Sequence, residues 1–277
     1  MRTDTQDTTS AVFAANRARG AVALDVGLRD GVTRRGSLRE SGSLRVRLPS
    51  PEGDGLSAVF VNSAGGIAGG DHFEIAISVG EGARLTTTTA TAEKLYRAQA
   101  EPAALDITLK VAAFARLAWL PQETILFDGA KASRRIDMEV AGGGSLLLCE
   151  IVVFGRAAMG EHVRHGSFVD RWRLRHGGRL AFAETVRLDG DIGAKLARPA
   201  IANGGVAVAT ALIVPGDEAL VGRIRDISGR LGEVGVSSWN GFAMARFCAQ
   251  DAARLRADVM AVFGRIGEHP LPRLWLN

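Results

Sequence analysis

The chain has 277 residues, 47% of them hydrophobic and 23% charged, a composition that excludes intrinsic disorder and allows one large domain. Its two cysteines, Cys149 and Cys248, both lie in apolar segments, which is typical of a reduced cytoplasmic protein and not of a disulfide scaffold. No apolar run approaches the roughly 20 residues that a membrane helix needs, so we expect a cytoplasmic protein without a membrane partner.

The formal net charge is +4 and the sequence pI is about 9.6, values that by themselves would allow a nucleic-acid-binding protein. Most of the 34 cationic residues are scattered arginines, and no run of five or more basic residues occurs. Aromatic residues make up only 6% of the chain, too few for base-stacking surfaces. We therefore expect an arginine-rich surface with patches that face protein partners, and no nucleic-acid partner.

The segments between residues 21 and 213 are short and β-like, with glycine or proline between them. Residues 73–79 alternate apolar and polar side chains, a pattern typical of a half-buried strand. Further strand-like runs lie near 56–61, 83–90, 105–110, 114–119, 122–127, 134–140, 145–154, 161–175, 179–188 and 205–213. Strands at such regular spacing predict a mainly β body that is layered or solenoid-like.

The last quarter of the chain changes to a helical period. A first helix, capped by Asp217, would place Leu220, Ile224, Ile227 and Leu231 on one face. A second would begin near Asp251 and bury Leu255, Val259, Val262, Phe263 and Ile266. Between them, Asn240 and Gly241 predict the turn of a short hairpin. We expect both helices to pack on the sheet, within a single domain of residues 1–277 whose first 19 residues are flexible.

Two acids stand in strongly apolar strands. Glu150 is central in LLLCEIVVF and Glu184 in LAFAETVRL, each on the same side of its strand as large apolar residues. A buried carboxylate costs several kcal/mol unless it is paired, protonated or hydrated. From the residues alone, an internal salt bridge with an arginine is favoured over a polar passage or a weak cation site by about two to one.

Three other polar residues have ordinary explanations. Asp71 follows two glycines at the start of a strand, where an aspartate can simply close a turn. Thr88 belongs to four consecutive threonines that β propensity alone explains. Glu93 precedes Lys94 in a cluster typical of a solvated cross-strand charge ladder. Catalytic motifs such as Gly-x-Ser-x-Gly and His-Glu-x-x-His are absent from the sequence, and no tight metal site is predicted.

Five motifs occur together in an order and spacing that resemble the UreD family of urease accessory proteins, called UreH in some organisms. They are NSAGGIAGGD (62–71), TTTTATAEKLYR (86–97), WLPQETILF (119–127), CEIVVFGRAAMGE (149–161) and LPRLWLN (271–277). Any one motif is weak, but five in order are specific, and the resemblance runs from about residue 20 to the end. Two positions depart from the family pattern: Ser63-Ala64 stands where prolines are frequent, and Glu93 adds an acid before Lys94.

The resemblance implies a scaffold and not an enzyme. Members of the family have an elongated β-rich body and bind the helical protein UreF directly, and UreF recruits the nickel-carrying GTPase UreG. They also dock on apo-urease, so a hetero-oligomer is expected. An internal water-filled passage is thought to carry Ni²⁺ to the urease site.

For this chain, the resemblance makes a passage-lining role of the buried acids more favoured, relative to internal salt bridges, than the residues alone do. The lining would consist of Asp71, Thr88, Glu93, Glu150 and Glu184, with Glu161 as a weaker candidate. Carboxylate and hydroxyl oxygens hold nickel less tightly than imidazole or thiolate does, so such a passage would attract a divalent ion without trapping it. We therefore expect transient Ni²⁺ and no tightly bound cofactor.

Two further functions stay open at this point. The chain would be a pure docking scaffold if it bridged urease and UreF without passing nickel, and passage-lining variants that still assemble would distinguish the two. A β-rich hydrolase that uses Glu150 and Glu184 as a carboxylate pair has low weight. It would need both groups within several ångströms across a cleft, and turnover by the isolated chain.

Overall fold

The computed structural model describes residues 17–50, 55–267 and 271–276 and contains two β-sheets that face each other across an apolar core. The strands are β1 Arg19–Arg29, β2 Val32–Gly42, β3 Leu44–Arg47, β4 Leu56–Asn62, β5 His72–Val79, β6 Arg84–Thr89, β7 Glu93–Leu95, β8 Ala103–Val111, β9 Arg116–Trp119, β10 Thr124–Leu126, β11 Lys131–Val140, β12 Ser145–Phe154, β13 His165–His176, β14 Arg179–Asp191, β15 Ala207–Val214, β16 Glu233–Trp239 and β17 Phe242–Ala249.

The chain winds between the two sheets as a solenoid. Sheet A has the order β14-β13-β11-β8-β5-β1-β2, and sheet B has the order β16-β17-β15-β12-β9-β6-β4-β3, with β10 joining β12 to β7. From β4 to β13 the longer strands enter the sheets alternately, so each coil adds one parallel strand to each layer. The predicted mainly β, solenoid-like body is thus confirmed.

Strand β12 shows why a strand between two layers has a continuous apolar sequence. All ten of its residues are buried, because one face contacts sheet A and the other is covered by helices. Leu148 and Val152 belong to the core between the sheets, whereas Leu147 and Ile151 pack on the helical side. A strand covered on both faces reads as a continuous apolar run, and an acid within it stands out.

Three α-helices lie in the described part of the chain: α1 Ile192–Leu196, α2 Glu218–Arg225 and α3 Ala252–Ile266. The two predicted C-terminal helices are confirmed, as are their caps. The Asp217 carboxylate accepts from the Leu220 N–H at 2.8 Å, and the Asp251 carboxylate accepts from the Ala253 N–H at 2.9 Å. The short helix α1 was not predicted, since five residues show no helical period.

The predicted length of α2 is wrong. It ends at Arg225, so Ile227 and Leu231 lie beyond it, and Leu231 is 55% exposed. The chain turns away at Gly229, which has a φ of 72°, a left-handed conformation that favours glycine. The predicted hairpin is confirmed, with Asn240 and Gly241 both at positive φ in the turn between β16 and β17.

At the N-terminus, residues 1–16 of the segment predicted to be flexible lie outside the described residues, and β1 begins at Arg19. None of the described helices is both long and apolar enough to cross a membrane.

Two glycines near α2 test the packing of the layers. A Cβ on Gly216 would lie 2.0 Å from the Ala243 backbone nitrogen, whereas a Cβ on Gly222, inside α2, meets nothing within 4 Å. We expect Gly216→Ala to lower the free energy of unfolding by about 1–3 kcal/mol because the backbone must move. Gly222→Ala should raise it by about 0.5–1 kcal/mol because alanine favours the helix. Urea denaturation measures both, and equal midpoints would contradict the packing described here.

Candidate functional site

Polar side chains from both sheets meet inside the otherwise apolar space between them. On sheet B, Glu150, Thr210 and Arg246 lie in register on the neighbouring strands β12, β15 and β17. On sheet A, Arg134 of β11 lies in register with Asp170 of β13. Residues in register across a sheet point to the same face, so each set forms a polar row directed at the opposite sheet.

Arg134 joins the two rows through a buried ion network. Its Nε donates to Asp170 Oδ1 at 3.0 Å and its Nη2 to Asp170 Oδ2 at 2.6 Å, while its Nη1 donates to a carboxylate oxygen of Glu150. Trp119 Nε1 donates to the other Glu150 oxygen at 2.8 Å. The side chains of Arg134 and Glu150 are only 3% and 4% exposed. The network therefore fastens sheet A to sheet B in the interior.

Burial opposes the charges of this network. It raises the pKa of Glu150 above its ordinary value, because the loss of water outweighs the contacts with Arg134 and Trp119. Burial also works against the charge of Arg134, but Asp170 and Glu150 outweigh it, and the pKa of Arg134 rises above its ordinary value. With two carboxylates and one guanidinium, the fully ionised network carries one net negative charge.

Glu184 forms a second link between the sheets. It lies on β14 at the edge of sheet A, and its carboxylate accepts a hydrogen bond from Arg246 of β17 in sheet B. This pair is more accessible, with side chains 27% and 52% exposed. Both acids that the sequence singled out in apolar strands thus form salt bridges, the alternative that the residues alone favoured. Their role in lining a passage stays a prediction.

Glu93 faces the same space two strand positions away from Glu150 in sheet B. It lies in register with Thr124 of β10, which in turn lies in register with Val152 of β12. Strand spacing and rise place its Cα roughly 12 Å from that of Glu150. Asn62 Nδ2 donates to Glu93 at 3.1 Å, and burial raises the pKa of Glu93.

Asp71 holds the backbone of the glycine loop. Its two carboxylate oxygens accept from the Ala68 N–H at 2.7 Å and the Ala18 N–H at 2.8 Å, and its side chain is buried. It therefore closes the loop and fixes the chain just before β1. This geometry corresponds to the turn-closing explanation, and a lining role stays a prediction.

The structure does not bring Thr88 or Glu161 together with Glu150. Thr87, in register with Trp119, faces the space between the sheets, so its neighbour Thr88 points to the outer face of sheet B. Glu161 lies in the loop after β12, where Arg156 holds it through two hydrogen bonds of 2.8 and 3.1 Å. The contact with Arg156 lowers the pKa of Glu161.

A cavity of about 600 Å³ opens where the edges of the two sheets diverge, between β14 and the β15–β17 strands. We call it the seam cavity. Its walls are mainly apolar and include Phe154, Val186, Leu188, Ile201 and Val208. Thr210 and Arg246 also line it, so it reaches the row that contains Glu150.

The described residues contain no group of three or more His, Cys, Asp or Glu side chains arranged to hold a metal ion. The polar space is instead built from single carboxylates, hydroxyls and guanidinium groups.

Comparison with known proteins identifies the family. The family model described as UreD urease accessory protein matches residues 18–276. The chain belongs to the UreD family. It is 68% identical to urease accessory protein UreD 3 of Bradyrhizobium sp. strain BTAi1, an alignment that covers 100% of both chains. It is 70% identical to urease accessory protein UreD of Rhodopseudomonas palustris strain BisA53, over 99% of this chain and 96% of that one.

The motifs that carried the UreD resemblance contact each other in space. Tyr96 of the second motif donates its hydroxyl hydrogen to the Gly65 carbonyl of the first at 2.8 Å. A Cβ on Gly66 would lie 2.4 Å from the Tyr96 ring, so the glycine allows this approach. Trp119 of the third motif binds Glu150 of the fourth, and Trp275 of the last donates to the Leu120 carbonyl at 2.9 Å.

Arg134, which binds Glu150, and Asp170, which also binds Arg134, were not among the residues predicted from the sequence. The strand pattern does contain a signal for them. Arg134 alternates in phase with buried Ala132 and Ile136, and Asp170 with buried Phe168 and Trp172. A charged residue at an inward position of a strand marks a buried ion pair, but only the fold shows which charges meet.

The buried network predicts a large effect of its central residue. Arg134→Met leaves Glu150 and Asp170 without a counterion and should lower the free energy of unfolding by about 3–5 kcal/mol. Arg135→Met, on the exposed face of the same strand, is the matched control and should change it by less than about 0.5 kcal/mol. Adding Glu150→Gln to Arg134→Met should restore part of the loss, because one uncompensated charge is removed. Strictly additive effects in urea denaturation would exclude the coupling.

The pKa shifts of Glu93 and Glu161 predict opposite pH dependences of stability for variants at the two positions. Because the pKa of Glu93 is raised on folding, its ionised form costs stability at neutral pH, and this cost falls as the pH drops through the folded pKa. Glu93→Gln should therefore be more stable than wild type at neutral pH, with a smaller difference as the pH falls toward the ordinary pKa of glutamate. The pKa of Glu161 is lowered, so Glu161→Gln should be less stable at neutral pH and approach wild type as acid protonates Glu161. Urea midpoints from neutral pH to below the ordinary pKa of glutamate measure both, and pH-independent differences over that whole range would contradict the assigned shifts.

Proposed function

We propose that this chain is a non-catalytic accessory protein of urease maturation. In this function it binds apo-urease and UreF, reaches UreG through UreF, and guides Ni²⁺ to the urease active site. The observation that carries the proposal is membership of the UreD family, whose relatives at 68–70% identity bear the name urease accessory protein. The partners are those that the family resemblance implies.

We place the nickel route in the polar space between the sheets. Glu93, Glu150 and Glu184 all face this space, and Thr124 and Thr210 add hydroxyls along it. Carboxylate and hydroxyl oxygens bind nickel only weakly, and a net negative interior attracts a divalent cation. The oxygen ligands stand singly, separated by the spacing between strands, so they would pass Ni²⁺ along and not hold it in one tight site. Ni²⁺ is therefore a transient cargo.

Within this route, Arg134 limits the negative potential. Its positive charge neutralises one of the two carboxylates beside it. The remaining negative charge attracts cations, but two free carboxylates that could chelate a cation together are not present at this network. Asp71, Thr88 and Glu161 are assigned weaker roles, because Asp71 holds the glycine loop and the other two lie away from the Glu150 row.

A pure docking scaffold is the second candidate. The ion pairs of Glu150 with Arg134 and of Glu184 with Arg246 favour it, since both acids already have structural partners. In that case the polar space would only hold the sheets together, and the outer surfaces would carry the function.

The first experiment is urease specific activity and urease-bound nickel in cells that express the matching urease operon with and without this chain. Both should fall to near background on deletion and return with the gene. Normal urease maturation without the chain would refute the accessory function.

Passage and scaffold are separated by Glu93→Gln and Glu184→Gln, with Glu139→Gln on the exposed outer face of sheet A as the matched control. If nickel uses this space, the first two should lower urease-bound nickel several-fold while the complex with the accessory proteins and urease still assembles. Unchanged nickel loading by assembled variants would favour the pure scaffold. Loss of assembly itself would assign these acids a structural role.

A further inference from the structure

The seam between the two sheets exposes apolar side chains. We define the seam as the region between β14, the last strand of sheet A, and β16, the last strand of sheet B. Val186, Ile201 and Trp239 lie here with 39%, 47% and 40% of their surfaces exposed. Two of them, Val186 and Ile201, line the seam cavity. Exposed apolar residues beside a cavity are typical of a surface that another chain covers.

Strand β14 also presents a free backbone edge. It is the longest described strand, with 13 residues, and within the described part of the chain it pairs on one side only, with β13. Described side chains reach two of its carbonyls, Asn240 that of Ala181 and Lys195 that of Asp189, both near the ends of the strand. The central stretch, residues 182–188, therefore offers a row of backbone donors and acceptors.

The surface around this edge is basic. Arg173, Arg175, Arg179 and Arg187 of the β13–β14 hairpin are exposed, and so is Arg198 after α1. None of the five forms an ion pair with a described residue. Four exposed acids lie on the surrounding strands, Glu139 of β11, Asp189 and Asp191 of β14 and Glu233 of β16, so the five arginines leave an excess of one positive charge among these residues.

From these three observations we infer that β14 is a docking strand for an extended, acidic segment of a partner protein. The segment would continue sheet A by pairing with residues 182–188, and one of its apolar side chains would enter the seam cavity between Val186 and Ile201. A row of unpaired backbone groups selects an extended chain, since a helix satisfies its own backbone. The arginines select acids. The inference does not depend on nickel transfer.

The test uses the full chain and a fluorescein-labelled peptide of alternating acidic and apolar residues, acetyl-Asp-Val-Glu-Leu-Asp-Val-Glu. Fluorescence anisotropy should show saturable binding that weakens with added salt. A version with alternate backbone nitrogens methylated cannot complete the strand pairing and should bind at least about tenfold more weakly. A version with lysine in place of the acids should not bind detectably. Equal binding of the methylated or lysine peptide would overturn the inference.

Variants of the chain place the contact on β14. Val186→Glu should weaken binding by at least about tenfold, because it puts an acid into the cavity mouth. Leu28→Glu, an exposed apolar position at the far side of sheet A, is the matched control and should bind as wild type. Arg187→Glu, at an exposed position, should also weaken peptide binding. It replaces Val186→Glu as the test variant if Val186→Glu lowers the melting temperature. Unchanged affinity of Arg187→Glu and Val186→Glu would overturn the inference.

Two further experiments would show whether something other than an acidic partner segment binds the β14 edge. Dimers in sedimentation that Val186→Glu dissociates would assign the edge to a second copy of this chain. Tighter peptide binding after removal of residues 1–16 would assign it to the chain's own N-terminal segment. Either result would overturn the acidic partner segment.

Discussion

The guanidinium of Arg134 lies between Glu150 of one sheet and Asp170 of the other, and the interior arrangement depends on this contact. Two stacked sheets can slide or separate when only apolar side chains lie between them, because the hydrophobic effect has no direction. The bidentate contact with Asp170 has strict geometry and orients the guanidinium within sheet A. The remaining Nη1 then donates to Glu150 of sheet B, which favours one alignment of the layers. Its price is desolvation, which the raised pKa of Glu150 reflects.

The same contact explains the character of the space around it. With Arg134 present, one negative charge of the network stays uncompensated, and Trp119 supplies the remaining donor to Glu150. The network is therefore a polar cluster with one net negative charge inside an otherwise apolar core. The more exposed pair of Glu184 and Arg246 repeats the contact nearer the sheet edge, beside the seam cavity. Under the proposed function, the same residues would hold the sheets together and attract a transient cation.

The family motifs are mainly places where one coil of the solenoid touches the next. The glycine loop approaches Tyr96, Asp71 closes that loop, and Trp275 returns the C-terminal tail to the loop after β9. The contacts of Tyr96 and Trp275 join segments far apart in sequence, so these motifs depend on their partners. The partner-facing surface is different in kind: at β14 it consists of a free edge and exposed arginines, features that no single motif records.

The sequence by itself determined the local elements, because period, turn chemistry and capping act over a few residues. It located most strands from β4 onward, the two C-terminal helices with Asp217 and Asp251 as caps, and the Asn240–Gly241 turn, and five motifs indicated the family. It named none of β1, β2, β3 and β7. It also marked Glu150 and Glu184 as acids in apolar strands. Only the tertiary structure decided which charges meet them, since Arg134 and Arg246 lie in the sheet opposite to that of their partners. The winding of the chain turned Thr88 away from the space between the sheets and left β14 as a sheet edge, because these outcomes depend on how separate coils stack and not on any local pattern.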